Sequence, residues 1–213
     1  MSASKPVNLW SSPDHVREYL ERADSISHRE EGESALLEFI PRTTRHILDL
    51  GTGDGRLLSL VKQANPEAEA VALDFSPAML EAASKRFAGD TSITVVAHNL
   101  DGALPALGRF DAVISSFAIH HVTHERKRTL YAEIYALLNS GGVFCNLEHV
   151  ASPTPLLHED FLQRIGFNVE TEDPSNKLLD VETQLKWLRE NGFADVDCHW
   201  KWRELALLAG TRP

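Results

Sequence analysis

The sequence predicts a doubly wound α/β protein: a seven-stranded, mostly parallel sheet with a C-terminal antiparallel hairpin and an N-terminal helical lid. Three observations predict it. From residue 46 to about 149, short apolar runs alternate with segments of helical periodicity, the pattern of parallel strands joined by crossover helices. The first apolar run meets Gly51, Gly53 and Gly55 directly before a helix-forming stretch. Two strand-like runs close the chain with only a few residues between them, and so short a link allows only a hairpin. The 213 residues suit one domain, divided into a helical lid (8–40), a core (45–150), a lid insertion (151–180) and a closing helix with its hairpin (181–213).

The elements follow in order. The lid segment holds helical pieces at Asp14–Arg22, with Val16, Tyr19 and Leu20 apolar, and at Gly32–Ile40. A strand at His46–Leu50 leads into a helix whose stripe is Leu57, Leu58, Leu60 and Val61, stopped by Asn65-Pro66. The strand Ala70–Asp74 is followed by Ser76-Pro77, a cap and first-turn proline for a helix carrying Met79, Leu80 and Phe87. Strands at Ile93–His98 and Asp111–Ser116 come next, then a helix over Glu125–Leu138 that ends at Asn139-Ser140-Gly141-Gly142, and a strand at Val143–Glu148. In the insertion, a short helix near Pro155–Ile165 precedes the polar run Glu170–Asn176. Both it and the N-terminal segment read as lids over the strand ends, because long insertions in compact domains are more often functional than idle. A helix at Val181–Glu190, a stop at Gly192 and strands at Val196–Trp200 and Leu205–Ala209 complete the chain.

Composition narrows the functional classes. The net charge of -10 and pI near 5.4 lack the basic face that phosphate-tracking proteins use. The densest basic run, Arg126-Lys127-Arg128, stands beside Glu125 and Glu133 and reads as a solvated helix face. Long nucleic acid is disfavoured on this ground, with tRNA left open. No apolar run approaches the ~20 residues of a membrane span. Residues 1–8 lack the charged and apolar regions of a signal peptide. Cys145 and Cys198 sit in strand-like apolar runs and read as buried free thiols, so a cytoplasmic protein, monomeric or homodimeric, is expected.

The chemistry begins at residues 47–55, Ile-Leu-Asp-Leu-Gly-Thr-Gly-Asp-Gly. A side-chain-free turn after the first strand and a carboxylate, Asp74, at the end of the second give room for an adenosyl ligand. The spacing Gly51-x-Gly53-x-Gly55, led by Asp49, differs from the dinucleotide pattern Gly-x-Gly-x-x-Gly. Here the sequence resembles the class I S-adenosylmethionine-dependent methyltransferases, a Rossmann-like family, closely over about residues 45–150 and more loosely in the closing hairpin. The stations are the glycine motif, Asp74, Asn99-Leu100, Phe-Asp-Ala-Val-Ile-Ser-Ser (110–116) and Leu-x-x-Gly-Gly (138–142). The resemblance implies that S-adenosylmethionine is the cofactor and that 45–150 is the cofactor-binding core. It implies that Gly51, Thr52, Gly53 and Gly55 let backbone amides approach the ligand, that Asp49 helps hold its amine and that Asp74 accepts its ribose hydroxyls. Phe75 is implied to pack on the adenine, and Asn99 and Leu100 to face its edge, although many relatives carry Asp at the position of Asn99. Ser115 and Phe117 are implied to stand by the transferred methyl group, and Arg29, with Tyr19 of similar standing, to meet the cofactor carboxylate.

Methyl transfer needs an acceptor held in line and relieved of its proton. The candidates are the histidines of His120-His121-x-x-His124, Glu148-His149 and His158-Glu159-Asp160, of which His121 and His149, at the ends of the fourth and fifth strands, are expected to be catalytic. No metal is assigned, although His and Glu here are a donor set that a divalent ion accepts. The tail Gly192-Phe193-Ala-Asp-Val196-Asp197 resembles small-molecule methyltransferases and the tRNA wobble-modification enzymes related to carboxymethyl transfer. Trp200 and Trp202, two apart on one strand, are expected to share a face and either wall the acceptor pocket or seal the sheet. The expected function is transfer of a methyl group to an O or N atom of a small-molecule acceptor. A second reading is an S-adenosylmethionine-dependent enzyme of tRNA wobble modification, methyl- or carboxymethyl-related, or one making a cofactor derivative for that pathway. A derivative with an extra carboxylate would need an added cation near Ser115, for which Arg29, Lys201 or Arg203 are the candidates. A third is a catalytically silent cofactor-binding subunit.

Overall fold

Side-chain alternation along the central strand, His46–Leu50 (β1), sets the architecture. In the computed structural model, which describes residues 10, 12, 14–17 and 26–213, Ile47 joins one buried apolar cluster while Leu48 and Leu50 join another on the opposite face. The first cluster is completed by helices α1 (Arg29–Phe39) and α2 (Arg56–Ala64), through Leu36, Leu57, Leu58 and Val61. Helices α4 (His124–Leu137) and α6 (Val181–Glu190) complete the second, through Leu130, Tyr131, Ile134, Leu185 and Leu188.

The remaining strands are β2 (Glu69–Asp74), β3 (Ile93–Ala97), β4 (Phe110–Ser116), β5 (Leu138–His149), β6 (Ala194–Trp202) and β7 (Leu205–Thr211). Helices α3 (Pro77–Arg86) and α5 (Pro155–Arg164) complete the elements used below. The sheet order is β3-β2-β1-β4-β5-β7-β6, parallel from β3 to β5 and antiparallel where β7 pairs with β5 and β6. The expected α/β class, seven strands and terminal hairpin are therefore present. The order reverses at β1, between β2 and β4, and ligands of open α/β sheets bind beside such a switch point. No helix among the described residues is long and apolar enough to cross a membrane.

Four expectations change. Strand β5 begins at Leu138, so Asn139–Gly142 extends the sheet; the amide of Gly141 donates to the carbonyl of Arg212 (2.7 Å) and the amide of Arg212 to that of Gly142 (2.8 Å). Helix α1 lies on the sheet, with Leu36 buried among core residues and Gly32 close against Leu147 and Trp200. The run 126–128 is a solvated face only at Arg128, which is exposed. Lys127 is fully buried, its Nζ donating to the Lys177 carbonyl at 2.9 Å, and Arg126 grips the carbonyls of Leu100 and Gly102 at 2.7 Å. Cys145 is buried as expected, but Cys198 is only half-buried. Tyr19 and the later part of the helix expected at Asp14–Arg22 lie outside the described residues.

Candidate active site

The turn after β1 is built from bonds that tie two acids to its backbone. Gly51 and Gly53 have φ of 68° and 57°, a region that side chains rarely adopt. A Cβ on Gly51 would lie 2.2 Å from the Cβ of Ala118. The amide of Thr52 donates to the Leu73 carbonyl (2.8 Å), and its hydroxyl donates to Asp49 (2.6 Å). The Asp74 carboxylate accepts from the amides of Gly53 (2.9 Å) and Ser76 (2.8 Å). Burial pushes the Asp49 carboxyl up to about 7, against the Thr52 hydrogen bond and with the charges of Asp74 and Asp54. Burial also raises Asp74, opposed by the amides of Ser76, Gly53 and Phe75.

Above this turn lies a cleft of about 870 Å³, counting its solvent-open mouth. Asp49, Gly51, Thr52, Gly53, Asp74, Phe75, Asn99, Leu100, Arg29 and His121 all line it. Three expected residues do not. Ser115 is fully buried and donates to the Leu50 carbonyl at 2.8 Å. Asp49 pairs with Ile114, so alternation gives Ser116 the cleft-side face and turns Ser115 away. Gly55 caps α2 at φ 84°, where a Cβ would meet the Phe87 ring at 2.4 Å, so its lack of a side chain serves packing. His149 is opposite Leu205 in the β5–β7 ladder, its Nε2 bonded to Glu204 at 2.9 Å and its ring 5.2 Å from that of Phe161.

The structure adds residues that sequence reasoning missed. Arg29 bonds Glu33 (2.9 Å), which also takes Arg56 (3.0 Å), so a buried carboxylate holds two guanidinium groups at the edge of the cleft. The spacing of Arg29 and Glu33, one helical turn apart, was the available signal. Met79, His98, Ser116 and Trp10 also line the cleft. Phe117 lines it at φ 51°, strained for a non-glycine residue, with the Arg29 guanidinium carbon 5.6 Å from its ring centroid. Asn99 uses its side-chain oxygen locally, accepting from the Asp101 amide at 2.9 Å. Of the cations considered for a carboxylated cofactor, Arg29 lines the cleft while Lys201 and Arg203 do not; Arg203 pairs with Asp160. Trp200 and Trp202 do not line it either. A bulge interrupts β6 between Cys198 and Trp200, Trp202 stacks on His28 at 4.1 Å, and both tryptophans pack near Phe161.

A 3₁₀ turn, Ile119–His121, reaches the cleft through His121. Glu148 fixes it from β5, accepting from the His120 amide (3.1 Å) and bonding His120 Nδ1 (2.9 Å). His121 Nδ1 shares a hydrogen bond with the Ser175 hydroxyl (2.9 Å), and the Trp10 ring lies 5.3 Å from its own. Burial holds both His120 and His121 well below the usual histidine range, so both are neutral at physiological pH. Among the described residues, the buried His98 Nε2, Ser116 Oγ and His121 Nε2 of the cleft have no hydrogen-bond partner. A separate cluster joins His149 and His158 through Glu204, but among the described residues no group of three His, Cys, Asp or Glu is arranged to hold a metal ion.

The residues present fit an adenosyl cofactor. The Gly51 position has no room for a side chain, Asp49 and Asp74 offer acceptors for an ammonium and for hydroxyls, and Phe75, Met79 and Leu100 offer an apolar wall for a flat base. Comparison with known proteins agrees. Residues 47–142 match the family model described as a methyltransferase domain. The chain is 30% identical over 172 residues to a demethylmenaquinone methyltransferase of Clavibacter sepedonicus, a match covering 74% of this chain and 69% of that protein. In fold it is similar to an O-methyltransferase family protein from Burkholderia thailandensis, with TM-score 0.75, 20% identity and coverage of 95% of this chain and 61% of that one. It is also similar to human N-acetylserotonin methyltransferase in complex with SAM, with TM-score 0.69, 18% identity and coverage of 96% and 57%. The chain thus spans less than two thirds of these solved chains, and 53% of further curated relatives.

Proposed function

Because this chain belongs to the class I S-adenosylmethionine-dependent methyltransferases, we propose that it methylates an O or N atom of a small, ring-bearing acceptor, with His121 as the proton acceptor. S-adenosylmethionine, the cofactor of the family, supplies a methyl group on a cationic sulfur that leaves as a neutral thioether. Asp49 would hold its ammonium, Asp74 its ribose hydroxyls, and Phe75, Met79 and Leu100 its adenine, with Arg29 set for the carboxylate. Phe117 and Trp10 give the acceptor two aromatic walls, a lining that suits a small ring-bearing molecule better than a polymer.

The observation that carries this reading is the unpartnered Nε2 of a neutral imidazole among residues that line the cleft. A neutral, buried histidine takes a proton from a hydroxyl or amine without first losing one of its own. The test is S-adenosylhomocysteine release with a panel of small hydroxylated and aminated ring compounds, bulk tRNA forming a separate arm. Turnover with ring compounds is expected, and His121→Ala should lower it ~10²–10⁴-fold with cofactor affinity unchanged. Release with tRNA alone would overturn the assignment of acceptor, and normal turnover in the variant would remove His121 from the reaction.

A second reading has its own support in the 30% identity to the demethylmenaquinone methyltransferase. In that reading the same base removes a ring hydroxyl proton, the ring carbon beside it takes the methyl group, and that carbon's own proton is then lost as the ring and its hydroxyl are restored. Mass spectrometry of the product separates a new C–CH₃ bond from an O–CH₃ or N–CH₃ bond.

A further inference from the structure

The proton acceptor argued above is not completed by its own turn. We propose that Ser175, carried on the insertion between α5 and α6, is the positioning residue of the reaction: it fixes the tautomer and ring angle of His121, so that the base is assembled only with this segment seated. The proposal rests on the reading of His121 as base.

The segment around Ser175 is held against the turn on several sides. The Lys177 amide donates to the His120 carbonyl (2.8 Å), and Lys177 Nζ donates to the carbonyls of His121 (2.7 Å) and Ser175 (3.1 Å). Lys127, from α4, holds the Lys177 carbonyl in turn (2.9 Å). The amide of Ser175 donates to Asp173 (2.8 Å), which fixes the backbone that aims the hydroxyl. Upstream, Glu172 bonds both Asn176 (3.0 Å) and His158 (3.0 Å), and the other nitrogen of His158 bonds Glu204 (3.0 Å) at the turn of the terminal hairpin. Burial opposes charge on His158, but the two carboxylates outweigh it and raise its pKa, so this anchor is strengthened by ion pairing. A hydroxyl placed in this way has little freedom to turn from His121.

The tautomer follows from the partners. A neutral imidazole has one N–H and one lone pair. With the hydrogen on Nδ1, it donates to Ser175 Oγ and the Nε2 lone pair is left for the acceptor. With the hydrogen on Nε2, a donor is buried with no protein acceptor, and orphaned buried N–H groups are rarer than orphaned acceptors. In the reaction the acceptor's O–H or N–H proton passes to Nε2 while its electron pair forms the bond to the methyl carbon; the pair of the broken S–C bond stays on sulfur. The imidazolium so formed keeps its Nδ1–H on Ser175 and later yields the Nε2 proton to water. The charged and titratable groups facing it are His120 on the same turn, Glu148 on β5, and Asp173 and Lys177 on the insertion, with His15 3.9 Å from Asp173.

The experiment uses the full chain labelled with ¹⁵N-histidine, read by imidazole nitrogen NMR, with His121→Ala to assign the signal. The wild-type protein should show His121 protonated on Nδ1. Ser175→Ala should yield a mixed or Nε2–H pattern, and Ser175→Thr, which keeps the hydroxyl, should restore the Nδ1–H form. In the turnover assay above, Ser175→Ala should lower kcat by about 5- to 30-fold, the loss of one well-placed hydrogen bond, and shift the pH–rate profile, with the affinity for S-adenosylhomocysteine unchanged. A wild-type Nε2–H form, or a Ser175→Ala spectrum and pH profile identical to wild type while His121→Ala is inactive, overturns the role of Ser175 and leaves the base in place. The expected tautomer in an enzyme whose His121→Ala variant is fully active overturns the base and, with it, this proposal.

Discussion

Replacing Gly51 by alanine tests whether the turn after β1 is set by backbone geometry and close packing. The substituted residue would sit at φ 68°, which costs a non-glycine residue about 1–2 kcal/mol. Its Cβ would lie 2.2 Å from that of Ala118, against the ~3.5–4.0 Å of favourable carbon contact, so the segment leading into Ile119 must move by more than 1 Å. Overpacking of this kind adds about 1–3 kcal/mol, and the smaller freedom of alanine in the unfolded chain returns about 0.4–1 kcal/mol. The net loss is about 1–4.6 kcal/mol, or roughly 2–18 °C in Tm for a chain of this size. Gly53→Ala is the internal control. Its φ is similar, 57°, but its Cβ would meet only Met79 Sδ at 3.8 Å, so about 0–1.5 kcal/mol is expected. Thermal unfolding by circular dichroism compares the two variants. Equal Tm losses would refute the argument, since they would show that the contact with Ala118 adds nothing to the backbone strain.

Three further outcomes follow from the same site. Asp74→Ala should weaken S-adenosylmethionine binding by tens- to hundreds-fold in calorimetry, two charge-assisted hydrogen bonds of about 1.5–3 kcal/mol each being lost in part; unchanged affinity would detach Asp74 from the ribose. Asp49, at about 7 when free, should tighten cofactor binding close to tenfold between pH 6 and pH 8 as it ionises, with proton release that Asp49→Asn abolishes. Because burial raises its pKa in the folded state, Asp49 costs stability as pH rises from the ordinary carboxylate range up to about 7, so Asp49→Asn should raise Tm more at pH 8 than at pH 5. Lys127→Met removes a donor to the Lys177 carbonyl and a cation whose charge favours the ionised form of the buried Glu148, and should destabilise by about 1–3 kcal/mol at pH 8 and less as pH falls, because burial raises Glu148 and eases its protonation; equal losses across pH would show that this charge does not act on Glu148.

The sheet and cofactor turn were legible because their signals are local. Apolar alternation, glycines at 51 and 53 and acids at strand ends are fixed by positions within a few residues of one another. What failed depended on register or on distance. Ser115 and Ser116 are adjacent in the motif, and only the pairing of Asp49 with Ile114 decides which one faces the cleft. His121 follows the fourth strand and His149 ends the fifth, yet β5 carries His149 on to Glu204 and away from the cleft. Lys127 lies within a basic run whose pattern describes a solvated face, and its burial depends on a carbonyl at residue 177. Ser175 sits in a polar stretch with no periodicity, so nothing in its neighbourhood announces a bond to a histidine 54 residues earlier.

The order of the sheet also bears on how the chain reaches this structure. Strands β1 to β4 pair among themselves, so the cradle for the cofactor can form from contiguous sequence. Strand β5 gains its second neighbour only when β7 arrives, after α5, α6 and β6 have all been made. Until then its outer edge is open, the kind of edge on which other chains add strands. Closing that gap is a non-local, slow event. The last strand therefore acts as the latch on maturation: a nascent chain stalled before β7 holds a nearly finished nucleotide cradle beside a surface primed for aggregation, and both hazards end with one antiparallel zipper.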